Sequence, residues 1–501
     1  MFYALTSTPP YVLPWVSLGL LAALSILYTT IYRLFFHPLA KYPGPLLARI
    51  TGLYMVNQAI RCRDTYTRYE LHQRYGKVVR TGPNELCFAD AASIKDIYGQ
   101  STEPCLKAPY FYDGFTLTGT SSVFSSTDRI GHARMRRLLS HGFSERGVLC
   151  FHDEIRIRIE RYLSIMSQST PTDANTESAI ELHDLTHNLF LDITSQLSFG
   201  KSFDILIGRD PEGARDIETY FNISPLFGVF PVARYLPFGP FKAAREAQPR
   251  IIRFVRSCID DFKVRLSQGT SQAGLLRLMV EAKDEETNSS FSVNELIENA
   301  VIFIIAGSGT TAATLIYLLY EVGRRLEIQG KLEKEIRVTF PDLDAFPDFE
   351  TATKLPYLNC VMQEVLRLRA PIPTVAPRVS PGKAIGGEYV PAGTIVSNLA
   401  YTTQRDASVF HNPDSFIPER WEHPTAEMKV MHRPFSTGPR NCVGMHLARV
   451  QLLLTVCALY QRFEISLDPR MTEDMMVQRD LGVMTPIAKQ LWVRIRPRKV
   501  D

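Results

Sequence analysis

From Tyr11 to Tyr32 the chain carries no charged residue, and Leu, Val, Ile, Ala and aromatic side chains dominate the run. At about 1.5 Å per residue, a helix of that length extends roughly 33 Å, enough to cross a bilayer core. Trp15, Tyr28 and Tyr32 lie towards its ends, where amphipathic rings favour the interface. A cleavable secretory signal competes with a signal anchor. Against it, no Lys or Arg precedes the run, and the run exceeds the usual apolar core of a signal peptide. The first positive charges follow it, at Arg33, Lys41 and Arg49. The positive-inside rule then sets the N-terminus in the lumen and the bulk of the chain in the cytosol.

Next comes HPLAKYPGPLLA, with Pro38, Pro43 and Pro45 around Gly44, a stiff segment suited to aiming a domain at the membrane surface. The expected division is a luminal tail and transmembrane signal anchor over 1–32, a Pro-rich hinge over 33–45, and one large domain over 46–501. Two glycosylation triplets begin at Asn222 and Asn288; in this topology they never see the lumen and stay bare.

The whole chain is 45% apolar and 22% charged, an ordinary globular mixture. Lys and Arg number 56 against 52 acids, too small an excess for nucleic acid to be the main partner. No two of the eight cysteines make a CxxC pair, which excludes a disulfide framework or zinc-knuckle spacing and fits a reducing compartment.

Strand signals are few. Residues 78–89 and 388–398 each read as a hairpin, around Gly82-Pro83-Asn84 and Pro391-Ala392-Gly393, and 490–497 reads as a strand. Helical periodicity marks 253–268, 331–338 and 443–463. The longest helix runs from Ser292, with a Ser292/Glu295 capping box, to about Gly323. Between Val301 and Ile305 it is apolar all round, so it must pass through the core. The fold class is mainly α with a minor β-sheet.

Two stretches carry chemistry. Ala306-Gly307-Ser308-Gly309-Thr310-Thr311 sets two glycines mid-helix, each costing about 1 kcal/mol relative to Ala. A close helix crossing would explain them, and so would a groove where a flat cofactor or small ligand meets the backbone. Residues 435–444 read FSTGPRNCVG, just before a helix. Cys442 there could be a thiolate stabilised by the helix N-terminus. Gly438 and Gly444 permit tight turns and close approach to a planar group, Arg440 can pair with a carboxylate, and Phe435 can pack beneath a macrocycle.

These ten residues match the signature F-x-x-G-x-R-x-C-x-G at all five fixed positions, and the chain thereby resembles the cytochrome P-450 family. Glu364 and Arg367 match the family's E-x-x-R pair, and Arg420 in Pro418-Glu419-Arg420 matches the arginine that joins it in a buried network. Residues 306–311 resemble its oxygen-activation motif, with Thr310 matching the threonine that helps deliver protons. Gly309 departs from it, standing where the family usually has an acid, so the proton source becomes water, Ser308 or substrate. His132 and Arg136 match a pair that contacts a haem propionate, and Arg378 and Arg440 stand where further propionate partners are expected. The wording of the hinge and of 131–144 is similar to membrane-anchored fungal members acting on secondary metabolites.

The resemblance implies a cytochrome P-450 fold behind one N-terminal transmembrane helix. It implies haem (iron protoporphyrin IX) with Cys442 as its metal ligand, and electrons from NADPH through a separate flavoprotein reductase. The implied reaction inserts one oxygen atom from dioxygen into a lipophilic small molecule, such as a terpenoid or polyketide intermediate. The implied location is the endoplasmic reticulum membrane, single-pass, with the catalytic domain facing the cytosol. Substrate contacts are expected from Tyr110, Phe111, Tyr112, Phe115 and Leu117, from Ile302 and Ala306, from 372–375 including Val375, and from 483–485 including Val483. The stretch 225–241 is expected to dip into the bilayer. Two alternatives stay open: a haem-thiolate isomerase, dehydratase or coupling enzyme, motivated by Gly309, and a non-enzymatic haem-binding membrane protein.

Overall fold

One helix, Val293–Gly323, organises the domain. In the computed structural model, which describes residues 13–169, 178–209, 212–269, 274–374 and 376–498, its start is closed by the anticipated capping box. Ser292 Oγ accepts the Glu295 N–H, and the Glu295 carboxylate accepts the Ser292 N–H at 2.8 Å. Residues Leu296–Ile304 and Thr311–Val322 are buried, so the helix threads the core as its all-round apolar sequence requires. Its two glycines separate the two explanations offered for them. A Cβ on Gly307 would meet Thr194 Cγ2 at 2.7 Å, where helix His183–Phe199 crosses. A Cβ on Gly309 would meet nothing within 4 Å. Gly307 therefore serves packing, and Gly309 faces open space.

Helices Pro356–Leu368 and Met445–Arg462 pack on the central helix, and the second is buried from Val450 to Gln461. The 253–268 periodicity belongs to a longer helix, Gly239–Ser267, which carries Pro249 inside it. The sheets are small, as expected. The largest has five strands in the order Val78–Gly82, Glu85–Phe88, Ile395–Asn398, Arg378–Val379, Leu106–Lys107. Glu85–Phe88 and Ile395–Asn398 run parallel, and the other pairings are antiparallel. Trp492–Pro497 lies between Ser178–Glu181 and Phe463–Leu467 in a second sheet.

The 78–89 hairpin forms, but 388–398 is not one. Glu388–Val390 pairs backwards with Lys383–Ile385 across Gly386-Gly387, whose φ values of +57° and +83° make the hairpin turn. Pro391–Thr394 then carries the chain to the other sheet, with Ser380 N–H bonded to Thr394 O at 2.8 Å.

The apolar helix Leu13–Ile31 stands clear of the domain, with Trp15, Leu18, Leu21 and Ile26 exposed. It continues as a short π-helical turn, Tyr32–Phe36. The segment after it is fastened down: Leu39 and Tyr42 are buried against Leu86, Phe88 and Ile94. Arg80 N–H bonds Pro43 O at 2.7 Å. A Cβ on Gly44 would lie 2.2 Å from Arg80 O, so only glycine lets the two backbones meet there. Phe230, Val232, Tyr235 and Phe238 in the 225–241 stretch are exposed.

The two glycines should respond oppositely to a side chain. Gly307→Val should destabilise by about 1–3 kcal/mol through overpacking on Thr194. Gly309→Ala should be neutral or gain up to ~1 kcal/mol of helix stability. The thermal midpoint of haem-band loss, measured on both variants, distinguishes them.

Candidate functional site

The loop before helix Met445–Arg462 is closed on itself by the Cys442 N–H, which bonds Phe435 O at 2.9 Å. Gly438 has φ +74°, and a Cβ there would lie 1.9 Å from Tyr98 O. Its role is therefore to seat the loop on the 98–99 backbone rather than to approach a planar group. Gly444 has an ordinary φ of −85°; the only atom near a Cβ there would be Cys442 Sγ, at 4.0 Å. Phe435 and Val443 pack partly buried against the main core.

Cys442 is reachable from solvent although protein surrounds it. That crowding pushes its thiol pKa up, and the Gly444 N–H and the Arg136 guanidinium only partly offset the effect. The helix starts three residues after the sulfur, so its dipole alone does not yield the thiolate expected from the sequence. A cation at the sulfur would.

Above this loop five cationic or basic side chains converge, and among the described residues none of them is in an ion pair; the Asp128 carboxylate offsets Arg440 only in part and accepts the Gly131 N–H instead. Arg440 donates to Ser126 O at 2.6 Å and Asp128 O at 3.0 Å. Arg136 donates to Asn441 O and Oδ1 at 2.9 and 2.8 Å, bracing the residue next to Cys442. Arg378 donates to Tyr112 Oη at 2.7 Å. Burial, with these arginines and Lys107 nearby, pushes His132 down to about 3; burial and Arg378 push Arg440 down to about 10. The fifth member, Lys107, was not foreseen. Its Nζ donates to Phe124 O and lies 4.6 Å from the Tyr112 ring centroid. Burial and the three arginines push it well below its usual range. Lys107 and Arg378 are direct cross-strand partners, a like-charge placement that ordinarily destabilises a sheet. This set of donors, with Arg136 bracing the residue before a reachable sulfur, fits a group bearing two negative charges. No local sequence signal marked Lys107, because its burial beside exposed Leu106 reverses the placement that a Leu-Lys strand ordinarily takes.

Glu364, Arg367 and Arg420 come together as one unit. Glu364 and Arg367 are fully buried and paired at 2.8 and 2.9 Å, and Arg420 Nε reaches Glu364 Oε1 at 3.0 Å. Trp421 Nε1 also donates to Glu364, at 2.8 Å.

On the central helix, Ser308 is buried and donates to Ile304 O at 2.7 Å. Thr310 Oγ1 donates to Ala306 O at 2.6 Å. Ala306 is exposed between buried turns, whereas Ile302 is buried. Phe111 and Phe115 are half-buried, with rings 5.4 Å apart, and Phe115 stacks edge-on to Phe124 at 5.1 Å. Tyr110 reaches the surface and Val483 is half-buried. Tyr112 and Leu117 are instead buried: one serves Arg378, the other sits in the core. Val375 lies outside the described residues. Unforeseen too were Glu298 and Asn299, which accept the N–H groups of Leu117, Thr118 and Val123 and pin this aromatic segment to the central helix. Two polar residues inside an apolar helix were the clue.

The sequence profile described as Cytochrome P450 matches residues 56–493. An averantin hydroxylase of Dothistroma septosporum is 30% identical, covering 98% of this chain and 93% of its own. The cytochrome P450 monooxygenase astJ of Aspergillus oryzae is 31% identical, covering 95% of each. Among solved structures, the cytochrome P450DA heme domain superposes with a TM-score of 0.75 at 19% identity, over 87% of this chain and 94% of that one. This last likeness speaks for the fold alone.

Two substitutions probe the site. Cys442→Ser should abolish the thiolate-type band of the reduced protein with carbon monoxide, while Cys457→Ser, in the buried helix, should retain it. Arg367→Ala should strand the buried Glu364 charge at a cost of about 3–5 kcal/mol and lower the yield of haem-loaded protein without changing product identity. Haem content per folded protein, measured beside the product profile, checks this.

Proposed function

The chain belongs to the cytochrome P450 family of haem-dependent monooxygenases, and on that premise we propose that it inserts one oxygen atom from dioxygen into a lipophilic fungal secondary-metabolite intermediate, of terpenoid or polyketide type. Electrons come from NADPH through a separate flavoprotein reductase. One observation carries the reading: the reachable Cys442 thiol follows Asn441, which Arg136 braces, and Arg136 belongs to a crowd of Lys107, His132, Arg136, Arg378 and Arg440, none of them in an ion pair among the described residues. Cys442 would hold the iron, and the cationic set the two propionates. Bound there, haem supplies dioxygen activation, and the protein supplies position and protons.

Phe111 and Phe115 offer an aromatic wall, and Ala306 leaves the central helix uncovered beside it, a lining suited to an apolar substrate. Thr310 donates its hydroxyl hydrogen bond to Ala306 O, which leaves its oxygen lone pairs to accept from a water. Gly309 leaves space for that water. Ser308 is buried and committed to Ile304 O, so water is the better proton carrier. The missing carboxylate at Gly309 also favours a second reading, a haem-thiolate enzyme that rearranges or couples its substrate.

The helix Leu13–Ile31 acts as the anchor of an endoplasmic reticulum protein whose catalytic domain faces the cytosol, supported by its exposed apolar side chains and the positive charges that follow. Phe230, Val232, Tyr235 and Phe238 would add a second contact with the bilayer.

Thr310→Ala should keep the haem spectrum yet divert electrons to hydrogen peroxide. Gly309→Asp should change product yield per NADPH rather than haem binding. Peroxide, NADPH and product measured together decide between the readings, because unchanged coupling in Thr310→Ala favours the non-oxygenase. Orientation is read separately: Asn222 and Asn288 should remain unglycosylated in the native chain, and a glycan on either reverses the topology.

A further inference from the structure

Three arginines converge where the anchor helix meets the first strand of the domain, and no acid answers them. The fully buried Arg80 donates to Arg33 O at 2.8 Å and to Pro83 O at 2.6 and 3.2 Å. Arg49 Nη2 donates to Leu34 O and Ala40 O at 2.8 and 3.2 Å, and its Nε has no partner. Arg33 Nη1 donates to Ile50 O at 2.6 Å. Every acceptor is a backbone carbonyl. Among the described residues none of the three arginines is in an ion pair. Nearby acids are already committed, Glu388 to Lys41 at 2.8 Å and Glu85 to Arg68 at 2.9 Å.

Carbonyl dipoles satisfy donors but do not cancel charge. Three positive charges are held in fixed positions, close enough that burial, Arg49 and Arg33 push Arg80 down to about 10. Beside them, Phe35, Phe36 and Leu47 are 70%, 72% and 62% exposed. A free anion would answer the charges and leave these side chains in water. A lipid answers both.

We infer that Arg33, Arg49 and Arg80 form a binding site for the phosphate of an anionic membrane lipid, whose acyl chains cover Phe35, Phe36 and Leu47. The inference rests on the anchor reading above, which places this junction at the cytosolic interface. Half-buried Arg33 and Arg49 reach the headgroup, and Arg80 adds its field from behind.

The test uses the full chain reconstituted in phosphatidylcholine vesicles containing traces of spin-labelled phosphatidylserine or phosphatidylcholine. Wild type should immobilise the serine lipid several-fold more than the choline lipid. Arg33→Gln and Arg49→Gln should each remove most of that selectivity, since ~1 kcal/mol per basic residue at an anionic surface is about five-fold, and the double variant should show none. Glutamine keeps an amide donor for the carbonyls, and an unchanged carbon monoxide band verifies the fold. Arg63→Gln, exposed and paired with Glu70, should retain selectivity. Equal immobilisation of both lipids by wild type, or full selectivity in the double variant, overturns the site. Loss of selectivity on adding inorganic phosphate, but not chloride of equal ionic strength, also overturns it, by showing a site for free phosphate. Alkaline extraction of the same vesicles reads the anchor independently: released protein refutes the anchor, and retained protein without selectivity refutes only the lipid site.

Discussion

The fold behind the haem site depends on one carboxylate that has no access to water. Glu364 accepts five hydrogen bonds: two from Arg367, and one each from Arg420, Trp421 and the Ile417 N–H. Arg367 uses all five of its donors, adding the carbonyls of Gln404, Pro413 and Ser415. A buried ion pair is a weak source of stability unless its remaining donors and acceptors are filled, and here they are. The result is a rigid junction between helix Pro356–Leu368 and the irregular chain from 404 to 421. That chain has little regular structure to hold it otherwise, and only the short helix Ala426–Met431 separates it from the loop that presents Cys442.

A second charged region follows the opposite rule. Lys107, His132, Arg136, Arg378 and Arg440 are crowded, largely desolvated and mutually repelling, with Lys107 and Arg378 facing each other across two strands. In the first region protein answers protein. In the second, no ion pair among the described residues answers the charge, and that difference in pairing separates a structural network from a candidate ligand site.

Much of this was legible in the sequence where the signal was local. The capping box at Ser292, the 78–89 hairpin and the apolar interior of the central helix each depend on a few adjacent residues. The ten-residue loop around Cys442 and the spacing of Glu364 and Arg367 carried the family resemblance. What escaped was decided by distant partners. Whether Gly386-Gly387 or Pro391–Gly393 makes the hairpin turn depends on which strands compete for Ile395–Asn398. The difference between Gly307 and Gly309 lies in Thr194, more than a hundred residues away. Lys107 gave no local cue, since a Leu-Lys strand ordinarily turns its leucine inward.

The parallel pairing of Glu85–Phe88 with Ile395–Asn398 has a consequence in time. Strand Arg378–Val379 joins the sheet through Ile395–Asn398, and Leu106–Lys107 joins through Arg378–Val379. The sheet therefore closes a loop of some three hundred residues, the kind of non-local contact that makes folding slow and late. During synthesis the two halves of the cationic set, Lys107 with His132 and Arg136, and Arg378 with Arg440, remain unassembled until the second half is made. Cofactor capture is thus deferred until nearly the whole polypeptide has been made, and until then the central helix is covered by earlier elements such as His183–Phe199 but not by Pro356–Leu368 or Met445–Arg462.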